Sequence, residues 1–197
     1  MEAKLQLRIQ RYGWDKAAAD YEEYWRKQIE PAQKRLLEMA ALVGGERVLD
    51  IACGTGLITF PAAMSVGAQG SVVGTDISEK MIERGRENAA RQGLANVTFQ
   101  RADAAASDFP ESSFDAVLCS LGLMYVPEPI HALRRASQLL KPGGRMAAAV
   151  WGAARPLRLG RDFSGGGRAC EIGGLSDVLP VGNGRQFADG DGNGRLR

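Results

Sequence analysis

The sequence predicts an α/β fold, a mostly parallel sheet with helices on both faces and further helices at the N-terminus. Three observations carry this expectation. Between residues 47 and 151, short apolar runs that read as buried strands alternate with segments that read as helices. Turn chemistry punctuates them, as at Gly93 and at Lys141-Pro142-Gly143-Gly144. Strands alternating with helices imply right-handed crossovers, hence parallel pairing and a sheet covered on both sides. At 197 residues the chain has room for one ordinary domain with a sizeable core, and so for one site.

The elements follow in order. Residues 15–42 are rich in Ala, Glu, Lys, Gln and Leu and are interrupted once, by Pro31. Two helices are expected there, with Pro31 in the first turn of the second and Gly44-Gly45 stopping it. Tyr12, Trp14, Tyr21, Tyr24 and Trp25 crowd this stretch, either lining a ligand pocket or stapling an N-terminal helix to the core. Residues 47–52 read as the first strand, ending at a glycine-rich turn. A helix over 57–66 follows, its start left open by Pro61. Residues 71–76 form a second strand, and 78–91 an amphipathic helix capped by Ser78 and ended by Gly93. Residues 97–103 and 114–120 are the third and fourth strands, a helix spans 128–140, and 145–151 is the fifth strand. Ligands of such sheets sit beyond the carboxyl ends of the strands, at the switch point of strand order.

Composition excludes several functions. The chain carries 25 basic and 23 acidic side chains, a formal net charge of +2, and residues 1–151 are neutral, so no phosphate-backbone surface and no nucleic-acid partner is expected. Cys53, Cys119 and Cys170 are odd in number and far apart, which suggests neither a disulfide framework nor a thiolate metal site and fits a reducing cytoplasm. No apolar run approaches the roughly 20 residues of a membrane span, and the N-terminus lacks an apolar leader. His131 is the sole histidine, so histidine-rich metal sites are excluded and no metal is expected.

The sharpest motif is Asp50-Ile51-Ala52-Cys53-Gly54-Thr55-Gly56 at the end of the first strand. Gly54 and Gly56 allow a tight turn and close approach of backbone to a ligand. The second strand ends at Asp76, 20 residues beyond Gly56, where a carboxylate can accept both hydrogen bonds of a ribose diol. A nucleoside ligand follows. NAD is the rival, but its fingerprint wants a small third residue where Thr59 stands, and Asp50 would repel a pyrophosphate. A carboxylate there suits instead, directly or through water, the ammonium of an amino-acid moiety.

In these residues the chain resembles the class I S-adenosylmethionine-dependent methyltransferases, a Rossmann-like family, and within it the ubiquinone/menaquinone C-methyltransferase-like group. The resemblance spans Val48 to about Trp151 and is weaker from Tyr12 onward. It implies that the glycine motif, with Asp50, Ala52, Gly54 and Gly56, wraps the methionine part of S-adenosylmethionine. Val73-Gly74-Thr75-Asp76-Ile77-Ser78 resembles the second motif, which implies Asp76 on the ribose and Ile77 beside adenine. Arg101-Ala102-Asp103-Ala104 resembles the adenine motif, Asp103 meeting the exocyclic amine and Ala104 offering its backbone N–H. Residues 114–120 and 139–144 are similar to the fourth strand and the turn before the fifth, with the backbone of Cys119 near the cofactor. The implied reaction is in-line methyl transfer to a small-molecule acceptor, for which alignment matters more than an acid or base. No catalytic residue is singled out, although Tyr12, Asp20, Tyr21 and His131 are candidates for taking a proton. Glu22-Glu23 and Arg134-Arg135 read as solvated faces. An NAD-dependent oxidoreductase, or a truncated cofactor-binding module without turnover, is the alternative.

The organisation expected is a helical segment over 1–46, a cofactor-binding domain over 47–151 and a Gly/Arg-rich irregular tail over 152–197. The tail holds 12 of the 25 glycines and no lysine, a composition that GC-rich codons give in a shifted frame and that a natural disordered linker also gives. The sheet is therefore expected to lack the last two strands of the resembled family, leaving the fifth strand as an unpaired edge.

Overall fold

The computed structural model describes residues 2–151 and the backbone of 177–181. Two helices come first, α1 (Ala3–Ala17) and α2 (Tyr21–Ala40). The α/β unit then runs β1 (Arg47–Ile51), α3 (Thr59–Val66), β2 (Ser71–Asp76), α4 (Glu79–Gln92), β3 (Val97–Arg101), β4 (Phe114–Ser120), a single 3-10 turn (Leu123–Tyr125), α5 (Pro129–Leu139) and β5 (Leu140–Val150). The final element is β6 (Asp177–Val181). The sheet order is β3-β2-β1-β4-β5-β6. The first five strands are parallel, with Val48 opposite both Val72 and Ala116, so strand order reverses between β1 and β4.

Burial on both faces explains why the strands are apolar throughout. Val48 packs with Leu36 of α2 and Val66 of α3 on one face, while its neighbour Leu49 packs with Phe114 and Leu139 on the other. Helix α4 is fixed at both ends as its sequence predicts: Ser78 Oγ accepts the Met81 N–H, and Gly93 takes the left-handed conformation at φ 65°.

Four expectations differ from the structure. Pro31 lies inside α2 and does not open a helix. Ile29, Ala32, Leu36 and Ala40 are buried at helical spacing across it, and their burial outweighs the roughly 3 kcal/mol that an interior proline costs. The helix ends at Ala41, left-handed at φ 44°, before Gly44-Gly45, and Arg145 supplies the cap by donating to the Ala40 and Ala41 carbonyls while pairing with Glu46 at 2.7 Å. The Lys141-Pro142-Gly143-Gly144 turn lies within β5, as an irregularity between the pairs Phe114–Leu140 and Ala116–Arg145. The fifth strand is not a bare edge, because β6 pairs with it antiparallel, Met146 opposite Val181 and Val150 opposite Asp177. One of the two strands expected to be lacking is thus present in part of the tail. Residues 152–176 and 182–197, with Cys170, lie outside the described residues.

Leu36 is fully buried where α2 meets the sheet. Leu36→Ala is expected to lower the unfolding free energy by about 3 kcal/mol, read by urea denaturation, and a loss below about 1 kcal/mol would contradict the packing described.

Candidate functional site

The carboxyl ends of β1, β2 and β4 open into a cavity that also reaches α1, α2 and the segment after β4. Its floor is the turn after β1. Ala52 and Gly54 both have positive φ, 55° and 54°, a conformation costly for alanine. The Asp76 carboxylate holds this turn. Its Oδ2 accepts the Gly54 N–H at 2.9 Å and its Oδ1 the Ser78 N–H at 2.9 Å, so one side chain joins the first turn, the end of β2 and the start of α4. Burial pushes its carboxyl above the usual range, against the pull of those N–H donors.

Of the nine residues singled out from sequence, Ala52, Gly54, Asp76, Ile77, Asp103 and Ala104 lie together on the cavity wall. Asp103 is not at a strand end, since β3 stops at Arg101; its Oδ1 accepts the Ala105 N–H at 2.9 Å in a turn. Asp50, Gly56 and Cys119 lie behind the wall. Gly56, at φ 97°, is required by packing: a Cβ there would stand 2.6 Å from the Phe60 ring. Cys119 is buried, and desolvation followed by the Asp50 charge pushes its thiol up to about 12, which makes it inert. Asp50 is completely buried beneath the turn, where its Oδ2 accepts the Thr59 hydroxyl at 2.6 Å and its Oδ1 has no partner. Desolvation pushes Asp50 up to about 7, with the Thr59 hydrogen bond opposing and the Asp76 charge adding to the rise.

The aromatic cluster divides. Trp14 and Tyr21 line the cavity, with Trp14 edge-on to Tyr21 at 6.0 Å and to Tyr125 at 5.1 Å. Tyr12, Tyr24 and Trp25 are exposed. Of the four candidate proton acceptors only Tyr21 faces the cavity, and burial, then the Asp76 charge, pushes its phenol up to about 12. His131 sits on the surface of α5, 3.6 Å from Glu128.

Of the two readings of the N-terminal aromatics, pocket lining and staple, Trp14 fulfils the first, and with it α1 covers the cavity. This helix buries no residue fully, but Leu7, Gln10 and Trp14 form one wall, and Asp15 docks it on α4 by accepting the Ser78 hydroxyl at 2.7 Å. Ser120, Leu121, Gly122 and Tyr125 were not foreseen, although the Leu121-Gly122 pair after β4 was a legible turn signal. Leu121 has φ 58°, and a Cβ on Gly122 would stand 2.3 Å from that of Ala52. Glu22 and Arg135 are not solvated faces: Glu22 accepts from Asn88 at 2.6 Å, and Arg135 donates to the Ser107 and Phe109 carbonyls, pinning the loop after Asp103. Among the described residues no cluster suited to a metal ion occurs, and no helix is long and apolar enough to cross a membrane.

Comparison with known proteins matches a family model described as a methyltransferase domain to residues 42–158. The chain is 40% identical over 134 residues to the aklanonic acid methyltransferase of Streptomyces sp. strain C5, covering 68% of this chain and 61% of that protein. It is 46% identical over 103 residues to the ubiquinone/menaquinone biosynthesis C-methyltransferase of Yersinia enterocolitica, covering 52% of this chain and 41% of that one. The chain therefore spans about half the length of these relatives. The crystal structure of a SAM-dependent methyltransferase from Aquifex aeolicus superposes with a TM-score of 0.58 at 23% identity, over 65% of this chain and 68% of the other, a likeness of fold.

The state of Asp50 yields a stability prediction. Its folded value lies above the ordinary aspartate range, so as pH rises towards about 7 the folded chain keeps a proton that the unfolded chain has already lost. Stability falls through that window and the cost persists above it. Asp50→Asn is expected to raise the unfolding free energy at about pH 8 by on the order of 2 kcal/mol and to flatten the pH dependence, measured by urea denaturation across the range. A variant less stable than wild type at that pH would contradict it.

Proposed function

Because this chain belongs to the methyltransferase-domain family, we propose that it binds S-adenosylmethionine in the cavity at the β1/β4 switch point and passes its methyl group to a small-molecule acceptor. The observation that carries this reading is the Asp76 carboxylate, on the cavity wall with both oxygens already oriented by the Gly54 and Ser78 N–H groups and with lone pairs left for a ribose diol. In this reading Ile77 lies against adenine, Asp103 accepts from its amine and the Ala104 N–H donates to the ring. Ala52 and Gly54 run along the amino-acid arm over the bend at Gly56, with Asp50 the charge beneath that arm and Cys119 packed behind it.

When bound, the sulfonium supplies an already activated methyl group. What the chain adds is alignment and exclusion of water. Trp14, Tyr21 and Tyr125 form the aromatic part of the cavity, which suits an apolar acceptor. Tyr21, held protonated, positions and does not take a proton. Residues 47–151 are in this account the cofactor-binding unit and 1–46 its cover, with 177–181 adding an edge strand to the sheet. The buried free thiols of Cys53 and Cys119 and the near-neutral charge favour a cytoplasmic protein without a nucleic-acid partner.

Calorimetric titration tests the reading. S-Adenosylhomocysteine is expected to bind the wild-type chain and NAD to give no heat, while Asp76→Ala weakens S-adenosylhomocysteine at least about thirtyfold, about 2 kcal/mol. Unchanged affinity in that variant would refute the assignment.

A further inference from the structure

The fully buried pair beneath the glycine turn has a division of labour that the proposed function leaves unexplained. Thr59, the first residue of α3, is completely buried and spends its hydroxyl on Asp50 Oδ2, at 2.6 Å. The opposite oxygen, Oδ1, is equally buried and has no partner. An orphaned carboxylate oxygen is costly unless something meets it. The titratable groups that interact with Asp50 are Asp76 at the end of β2, Cys53 in the turn and Cys119 on β4, none of them a cation.

Building on the assignment of an S-adenosylmethionine-type ligand, we propose that Thr59 is a positioning residue for the ligand's amino-acid end: its hydroxyl engages one oxygen of Asp50 and leaves the other, unpartnered oxygen to meet an ammonium group, directly or through one water. Asp50 is completely buried and is not among the residues lining the cavity, whereas Ala52 and Gly54, in the turn that follows it, are. The Thr59 hydroxyl also favours the ionised carboxylate, which an arriving ammonium needs. A hydroxyl with a merely structural role would support the fold without touching the pH dependence of binding.

The test titrates S-adenosylhomocysteine, and 5′-methylthioadenosine, which lacks the amino-acid arm, from about pH 5.5 to about pH 7.5, below the range in which an α-amino group loses its proton. In the wild type, S-adenosylhomocysteine affinity is expected to rise with pH through this window and 5′-methylthioadenosine affinity to stay flat. Thr59→Val is expected to move the midpoint up by at least about half a pH unit and to weaken S-adenosylhomocysteine about fivefold near neutrality, with 5′-methylthioadenosine unaffected. Thr59→Ser keeps the hydroxyl and is expected to behave as wild type. A wild-type profile without pH dependence, or an equal loss for both ligands in Thr59→Val, would overturn the proposal; should Thr59→Val not fold, the wild-type profiles of the two ligands and the Thr59→Ser titration decide it alone. A wild type that binds neither ligand overturns the methyltransferase reading itself, whereas tight, Thr59-independent binding overturns only the role given to Thr59.

Discussion

The shape of the site depends on one buried carboxylate. Asp76 accepts the backbone N–H of Gly54 from one direction and that of Ser78 from the other, and so fixes the turn after β1 against the start of α4. From Ser78 the connection runs on to Asp15 and the helix that covers the cavity. A charged acceptor of two backbone donors is among the stronger hydrogen-bonding arrangements available to a protein. It is held here at the cost of desolvation, which raises the carboxyl's own affinity for a proton.

Much of this was legible in the sequence because local chemistry and tertiary structure agree. Residues 71–76 and 114–120 read as strands and are strands, and Ser78 and Gly93 bound α4 as their residue types predict. Ile77 and Ala104 reach the wall because they follow strand ends at the open side of the sheet. What stayed hidden depends on partners distant in sequence. Pro31 reads as a helix start until Leu36 and Ala40 are seen to be packed on the sheet. Lys141 to Gly144 reads as a turn, whereas pairing with β4 draws it into β5. The pairing of 177–181 rests on a short apolar run, Val178 to Val181, interrupted by Pro180 and set in a glycine-rich stretch that masks it. The covering role of α1 was legible only in part: Trp14 reads equally as pocket lining or as a staple, and the helix's inward face is only half-buried.

Thr59 shows the limit in another form. Read by motif, it was merely a residue too large for a dinucleotide fingerprint. In three dimensions it is the partner of the most deeply buried acid in the site. Gly56 carries a similar lesson. The motif suggests a glycine facing a ligand, but Gly56, Gly74 and Gly85 all abut Phe99, and a Cβ on any of them would come within about 3.0 Å of its ring or of Phe60. The glycine pattern thus serves an aromatic plug at the junction of α4 with the sheet, a role that a motif read alone does not separate from ligand binding.

Arg145 closes the C-terminus of α2 from a position 105 residues further along the chain. Helix α2 carries Tyr21 at its other end, so the cavity's aromatic wall hangs from an element whose last carbonyls find their donor only after β5 has joined β4. Ring closure over so long a loop is slow and comes late in folding. During synthesis the glycine turn and Asp76 can therefore meet while the N-terminal helices are still loosely attached, so that the floor of the cavity forms before its aromatic wall.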